Sequence, residues 1–219
     1  MSPVATVEHG YLIGIEVNLA SGSATGSHAQ GDTLTSIENL IGTDYIDLLV
    51  GDASDNVLRG GAYGDWLHGE AGDDTLYGGP DLDVLFGGEG DDTLYGGDGV
   101  DFLHGEAGDD TLYGGPGVDT FAFTLNKGVG TDTIEDYTLS ATSRSESDRI
   151  KFCGKYGTDQ YTRTYADVGS DYVITVRRGG ETIGTITVKG ITSRSPNFGN
   201  FRTVAADTAS GACWNYIWK

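Results

Sequence analysis

From Gly42 the chain divides, without insertion or deletion, into nine consecutive nonapeptides: GTDYIDLLV, GDASDNVLR, GGAYGDWLH, GEAGDDTLY, GGPDLDVLF, GGEGDDTLY, GGDGVDFLH, GEAGDDTLY and GGPGVDTFA. Position 1 is always Gly. Position 6 is Asp in eight units (Asp47, Asp65, Asp74, Asp83, Asp92, Asp101, Asp110 and Asp119) and Asn56 in the other. Position 8 is Leu in eight units and Phe121 in the last. A longer copy lies on top of this period, since Leu67–Pro80 recurs letter for letter as Leu103–Pro116, 36 residues later. Nine residues cannot bury a face alone, so a period held in register this long requires equivalent units to stack into one continuous core.

Each position has a physical reading. The first six residues of a unit, rich in Gly and Asp, need turns and left-handed backbone. The last three, such as Thr75-Leu76-Tyr77, alternate polar, apolar and aromatic, the pattern of a short strand with one buried side chain. Loop and strand alternating at a constant step give a parallel coil with Leu inward and two units per turn. Loops 18 residues apart then stack, which pairs Asp65 with Asp83, Asp74 with Asp92, Asp83 with Asp101, Asp92 with Asp110, and Asp101 with Asp119.

Charge narrows the partner. The 219 residues carry a net charge of -20, and 19 of the 33 acidic side chains lie in residues 42–122 with a single base, Arg59. A pI near 4.2 repels nucleic acid and anionic membranes and attracts cations. A block so acidic often belongs to a disordered tail, but the strict period argues against that here. With only four prolines, and glycines not at every third residue, collagen is excluded. Stacked carboxylates repel unless a cation lies between them. A hard divalent ion held by carboxylate and carbonyl oxygens fits, and calcium, which takes six to eight oxygens in irregular geometry, fits better than magnesium. Nine units allow seven stacked pairs, so about five to seven Ca2+ ions are expected.

The units GGEGDDTLY and GGDGVDFLH match G-G-x-G-x-D-x-U-x at every fixed position, and the chain resembles the hemolysin-type RTX family of secreted bacterial exoproteins. The resemblance implies an all-β fold, a right-handed parallel β-roll with a flanking antiparallel β-rich C-terminal cap. It also implies calcium held by the position-6 Asp side chains and by loop carbonyls, here those of Gly79, Gly88, Gly90, Gly97, Gly99, Gly108, Gly115 and Gly117. The first units depart from the pattern. Thr43 and Asp52 replace the second glycine, Asn56 replaces the acid, and Tyr63 and Asp81 replace the glycine at position 4, which weakens the N-terminal sites. Residues 1–41 look like the lead-in to such a roll, 42–122 like the roll, and 123–219 like the cap that holds the secretion signal. Gly128–Ile134 repeats the loop-and-strand logic, and Asp132 is placed to ligate a last ion. Asp148–Phe152, Asp171–Val176 and Glu181–Val188 read as antiparallel strands, with a hairpin turn at Gly179-Gly180.

The chain shows no G-x-S-x-G, H-E-x-x-H or EF-hand pattern, so it reads as non-enzymatic. His68 and His104 share position 9 and read as strand-surface fillers ahead of zinc ligands or a pH switch. Tyr77, Phe86, Tyr95 and Tyr113 at the same position read as packing along neighbouring strands ahead of a sugar- or protein-binding face. The two cysteines, Cys153 and Cys213, either form one bridge outside the cell or stay free. No segment is long and apolar enough to span a membrane, and Met1–Glu8 does not read as a secretory signal. The resemblance implies instead export by type I secretion machinery, followed by calcium-driven folding outside the cell. The second reading is an accessory or adhesive module, polysaccharide- or surface-binding, of a larger exoenzyme or adhesin. The short stretch ahead of the roll leaves no room there for a catalytic domain.

Overall fold

The computed structural model describes residues 13–26, 32–125, 129–141, 146–153, 161–195 and 203–204. Met1–Glu8, Gly128, Cys213 and the tail from Gly211 lie outside the described residues. Among the described residues the chain is all-β. One sheet contains, in spatial order, β18 (Thr203–Val204), β14 (Arg149–Cys153), β12 (Thr120–Thr124), β10 (Phe102–Ala107), β8 (Val84–Glu89), β6 (Trp66–Ala71), β4 (Ile46–Val50), β1 (Ile13–Asn18) and β2 (Ser23–Thr25). The second contains β15 (Tyr161–Val168), β16 (Asp171–Arg178), β17 (Glu181–Val188), β13 (Gly130–Ile134), β11 (Thr111–Tyr113), β9 (Thr93–Gly99), β7 (Thr75–Asp81), β5 (Val57–Arg59) and β3 (Asn39–Ile41).

Successive units alternate between the two sheets, so two nonapeptides make one turn. Leu67 pairs with Leu85 and Leu85 with Leu103 on one side, Leu76 with Leu94 and Leu94 with Leu112 on the other, all in parallel register. All eight position-8 leucines and Phe121 are 0 % exposed and form one continuous ladder between the sheets. Each fully buried Leu contributes about 1.5–3 kcal/mol, and the ladder is one side chain wide per strand, so it is a thin core. Strands run longer than the three residues expected: β7 continues from Tyr77 through Gly78-Gly79-Pro80-Asp81. Stacked loops superimpose closely enough for the parallel ladder to continue into them, Gly79 on Gly97 and Asp81 on Gly99.

The coil extends past both ends of the nonapeptide array. Upstream, Val17 pairs with Leu49 and Leu40 with Leu58, each buried where the next leucine of the ladder would be. Downstream, β13 stacks on β11 and β14 on β12, both parallel. This corrects one expectation: Arg149–Cys153 is a further parallel rung, because Ile150 falls in register with Phe121. The other two segments are antiparallel as expected. β15, β16 and β17 form a meander, β17 joins the roll by parallel pairing with β13, and Gly179-Gly180 turns the hairpin with both φ values positive, the geometry of a two-residue primed turn.

Candidate metal centres along the roll

The position-6 aspartates are buried, every one of them 2 % exposed or less. They sit at the loop-to-strand junction, and each uses one carboxylate oxygen to join consecutive turns. The Asp65 N–H donates to Oδ1 of Asp83 at 2.7 Å, Asp74 to Asp92 at 2.8 Å, Asp83 to Asp101 at 2.9 Å, Asp92 to Asp110 at 3.0 Å and Asp101 to Asp119 at 2.9 Å. The same bond runs from Asp47 to Asp65 and from Asn56 to Asp74. The five stacked pairs read from the sequence are therefore adjacent, joined through backbone N–H and Oδ1.

The second oxygen is different. Oδ2 of Asp65, Asp74, Asp83, Asp92, Asp101 and Asp119 is buried without a hydrogen-bond partner. A buried carboxylate oxygen with no donor is costly, about 1–3 kcal/mol or more for a charged group. These atoms face backbone oxygen. A Cβ at Gly69 would collide with both Oδ2 of Asp74 and the carbonyl oxygen of Gly87 one turn on, and one at Gly87 with Oδ2 of Asp92 and the Gly105 carbonyl. Buried carboxylate oxygen set beside carbonyl oxygen, with no donor to Oδ2, suits a cation or a proton.

The carboxyl chemistry agrees. Burial, opposed by the backbone hydrogen bond from the preceding turn, pushes Asp65 and Asp92 up to about 8, Asp83, Asp101 and Asp119 to about 7, and Asp74 to about 6. Asp47 is raised by the same cause. At the C-terminal end Asp110 and Asp132 form a tightly coupled buried pair, both raised.

Loop carbonyls supply the remaining oxygen. Those of Gly79, Gly90, Gly97, Gly99 and Gly108 lie directly against the equivalent glycine of the next turn, at Gly97, Gly108, Gly115, Gly117 and Gly130. Gly88 sits in the same way over the carbonyl of Glu70. Only glycine tolerates that approach, and at Gly88, Gly97, Gly108, Gly115 and Gly130 the φ angle is positive as well. Tyr63 and Asp81 at position 4, and Glu70 and Glu106 at position 2, keep a positive φ in place of glycine, at a strain of about 1–3 kcal/mol each, whereas Thr43 and Asp52 in the first two units do not. Among the described residues no group of three or more His, Cys, Asp or Glu side chains converges to hold a metal by itself. Such a site offers one or two carboxylates plus carbonyls, a donor set for a hard cation rather than for zinc.

The departures at the N-terminal end have a structural consequence. Thr43 donates its N–H to Oδ2 of Asp47 at 2.5 Å and Ile15 donates to Oδ1 at 2.6 Å, so both oxygens are satisfied from within the chain. Asp52 donates its N–H to Oδ1 of Asn56 at 2.8 Å. At the other end the coil supplies residues that the period does not announce. Asp132 accepts from the Asp110 N–H at 3.1 Å. Asp148, in no nonapeptide, accepts from Asp119 N–H at 2.8 Å and from Thr138 N–H at 2.7 Å. Asp136 takes both Gly114 and Gly115 N–H groups. The signal for Asp148 was the triplet Asp148-Arg149-Ile150, which repeats Asp-x-apolar.

The position-9 side chains separate by sheet. Tyr77, Tyr95 and Tyr113 stack on one another at 4.9 and 4.6 Å, with Arg59 3.9 Å over the Tyr77 ring, so ring faces that would take a sugar are largely occupied by neighbours. On the other sheet His68 stacks on Phe86 at 4.7 Å, and His104 Nε2 lies 3.0 Å from Thr124 Oγ1. Both histidines pack along strands.

Among known proteins, the family profile of the RTX calcium-binding nonapeptide repeat matches four times, over residues 41–62, 50–85, 59–94 and 86–121. No curated protein matches the chain. Of the solved structures, 31 chains match. One is the extracellular lipase LipA from Serratia marcescens, 16 % identical, covering 73 % of this chain and 39 % of that one with a TM-score of 0.27. This chain thus spans well under half the length of that lipase, and a likeness at this level says nothing about activity. Residues 41–121, with their buried Asp column and leucine ladder, match the RTX calcium-binding nonapeptide repeat and are wound into a parallel β-roll.

Proposed function

We propose that this chain is a non-enzymatic module that folds on binding about five to seven calcium ions, staying unfolded inside the cell and becoming ordered after type I export. The observation that carries this reading is the column of six buried, partnerless Oδ2 atoms. The ligand set is Asp65, Asp74, Asp83, Asp92, Asp101, Asp110, Asp119 and Asp132, together with the carbonyls of Gly79, Gly88, Gly90, Gly97, Gly99, Gly108, Gly115 and Gly117; Asp47, whose oxygens already accept from Ile15 and Thr43, is the weakest member, at the end of the column. Asp148 belongs to the same column by its hydrogen bonds. Calcium supplies positive charge between oxygens that otherwise repel. The chain supplies the rest: the N–H to Oδ1 relay holds each carboxylate in one orientation, the glycines bring carbonyls close, and the leucine ladder sets the spacing between turns.

Without the cation, each buried carboxylate must either take a proton or leave the fold, and a thin core does not oppose unfolding. That links ordering to the extracellular side, where calcium is millimolar and where the disulfide at Cys153 is stable. Circular dichroism in EGTA and in millimolar calcium tests this: β signal should appear cooperatively with calcium and far less with equal magnesium. A roll equally ordered in EGTA at neutral pH would refute it.

A further inference from the structure

A sheet edge presents unpaired N–H and C=O groups that template pairing with another chain, and folded proteins blunt such edges with very short strands, Lys, Pro or bulges. The two nine-stranded sheets have four edges. Three are short: β2 has three residues, β3 three and β18 two. The fourth is β15, with eight. It contains neither Lys nor Pro, and it pairs with β16 in unbroken register from Tyr161 to Val168. Among the described residues no strand pairs with its other side. Tyr165 and Val168 are 44 % and 59 % exposed.

We propose that β15 is a dimer edge, paired antiparallel with β15 of a second copy about a two-fold axis at Tyr165. The residues select this register. Facing residues across an antiparallel seam share one hydrogen-bonding direction, so the axis passes through a residue. An axis at Arg163 or Asp167 sets like charges opposite one another, which repel. An axis at Thr164 or Ala166 sets Tyr165 against a charge. The axis at Tyr165 sets Arg163 opposite Asp167 of the second copy, twice over, and these opposite charges attract. It also pairs Tyr165 with its own copy, extending the row in which Tyr165 and Tyr172 stack at 6.1 Å. Arg163 lies 4.5 Å over the Phe152 ring, and a guanidinium stacked by its face still donates through its edge. Asp167 accepts from Ser193 N–H at 2.7 Å and Oγ at 2.6 Å, two of the roughly four bonds a carboxylate takes. Charge also places the contact at this end. Residues 42–122 hold 19 acids and one base, whereas residues 123–219 hold 10 acids and 12 bases. β15 lies at the opposite edge of its sheet from β3, so pairing there sends the two acidic rolls in opposite directions. A two-strand seam is smaller than the roughly 800 Å² per partner of a tight complex, so the dimer is reversible. β15 holds no residue of the calcium column, which makes the pairing separable from calcium binding.

Sedimentation equilibrium of the full chain in millimolar calcium, over about 1–100 μM protein, tests this. A species of twice the chain mass should grow with concentration, and monomer alone at the top of that range overturns the dimer. Arg163→Asp and Asp167→Arg should each weaken association about tenfold or more, because like charges then face each other at both ends of the seam. The double substitution reverses both pairs and should return the dissociation constant to within about threefold. Within one strand the two residues lie about 13 Å apart, so that recovery reports contact between copies; failure to recover in a folded double variant overturns the register. Tyr165→Lys, which sets two ammonium groups at the axis, should also hold the chain monomeric. A dimer that none of these substitutions disturbs uses another surface and overturns the proposal. Circular dichroism of each sample in calcium reports separately on calcium-driven folding.

Discussion

The two loop edges of the roll share the position-6 relay and differ in what stands one residue before it. On the edge of Asp47, Asp65, Asp83, Asp101 and Asp119, position 5 is Ile46, Gly64, Leu82, Val100 and Val118, and Ile46, Leu82 and Val100 are each about half exposed. On the edge of Asn56, Asp74, Asp92 and Asp110, position 5 is Asp55, Asp73, Asp91 and Asp109. Those carboxylates form a second ladder, in which Asp73 N–H donates to Asp55, Asp91 to Asp73 and Asp109 to Asp91, at 2.8–2.9 Å. Its bonds run towards the N-terminus, opposite to the buried relay. At positions 5 and 6, the loops of Asp74, Asp92 and Asp110 therefore carry two carboxylates each and the loops of the opposite edge one. The same backbone can carry either, which separates what the fold requires (the buried Asp) from what tunes charge (the outer one).

The largest expected effect removes the difference between edges by acting on all buried carboxyls together. In EGTA the groups raised to about 6–8 hold protons in the folded state that they would release on unfolding. Their contribution to stability is full below the unfolded value of 3.8 and is lost as pH rises through about 6–8. The calcium-free roll should therefore show more β signal at pH 5.5 than at pH 8.5. In calcium the sign reverses, because protons compete for the same oxygens, and the calcium midpoint should rise as pH falls. Equal disorder in EGTA at both pH values would contradict the burial argument.

Next come the central carboxylates of each edge. Asp101→Asn and Asp92→Asn each remove charge from two neighbouring loop pairs. Each should raise the calcium midpoint about tenfold, the scale of a lost charge-assisted interaction of roughly 1.4 kcal/mol, and flatten the transition, because damage in a solenoid spreads through nearest neighbours. On the acidic edge Asp91 and Asp109 partly compensate, so Asp92→Asn should be the milder change in low salt, and added monovalent salt should bring the two midpoints together. A titration in which Asp92→Asn is the more damaging at low salt would break the comparison.

Smaller again is Asp91→Asn, which alters the exposed ladder. A two- to threefold rise in the calcium midpoint in low salt is expected, fading in high salt, since exposed charges interact weakly and are screened. A shift independent of salt would mean that Asp91 is buried chemistry rather than surface field. The least effect is expected from Asp47→Asn, whose oxygens are already held by Thr43 and Ile15. If its calcium midpoint moves as far as that of Asp101→Asn, the end of the roll is no weaker than its middle.

Much of this was legible because the period is short and unbroken. Gly at position 1, Asp at position 6 and Leu at position 8 force equivalent residues into equivalent surroundings, so the parallel coil, two units per turn, the leucine ladder and the stacked aspartates follow from spacing alone. The reading fails where the spacing breaks. Val17 and Leu40 complete the ladder after irregular loops, and Asp148 joins the Asp column 29 residues after Asp119, a separation that no nonapeptide count reaches. Nor could letters at position 9 reveal that Phe86 and His104 are covered while Tyr95 is not, since both faces follow one rule along the chain.

Sequence by itself determined the repeat architecture, the inward leucines and the cation as partner, because local pattern repeated nine times leaves one way to bury apolar side chains and one way to place the charge. Only the tertiary structure decided which carboxylate oxygens lack a partner. That depends on whether an N–H from position 2 turns inward, as at Thr43, or stays away, as beside Asp74 and Asp92. The choice is one of backbone direction between stacked turns, and it becomes visible only when the turns are laid on one another.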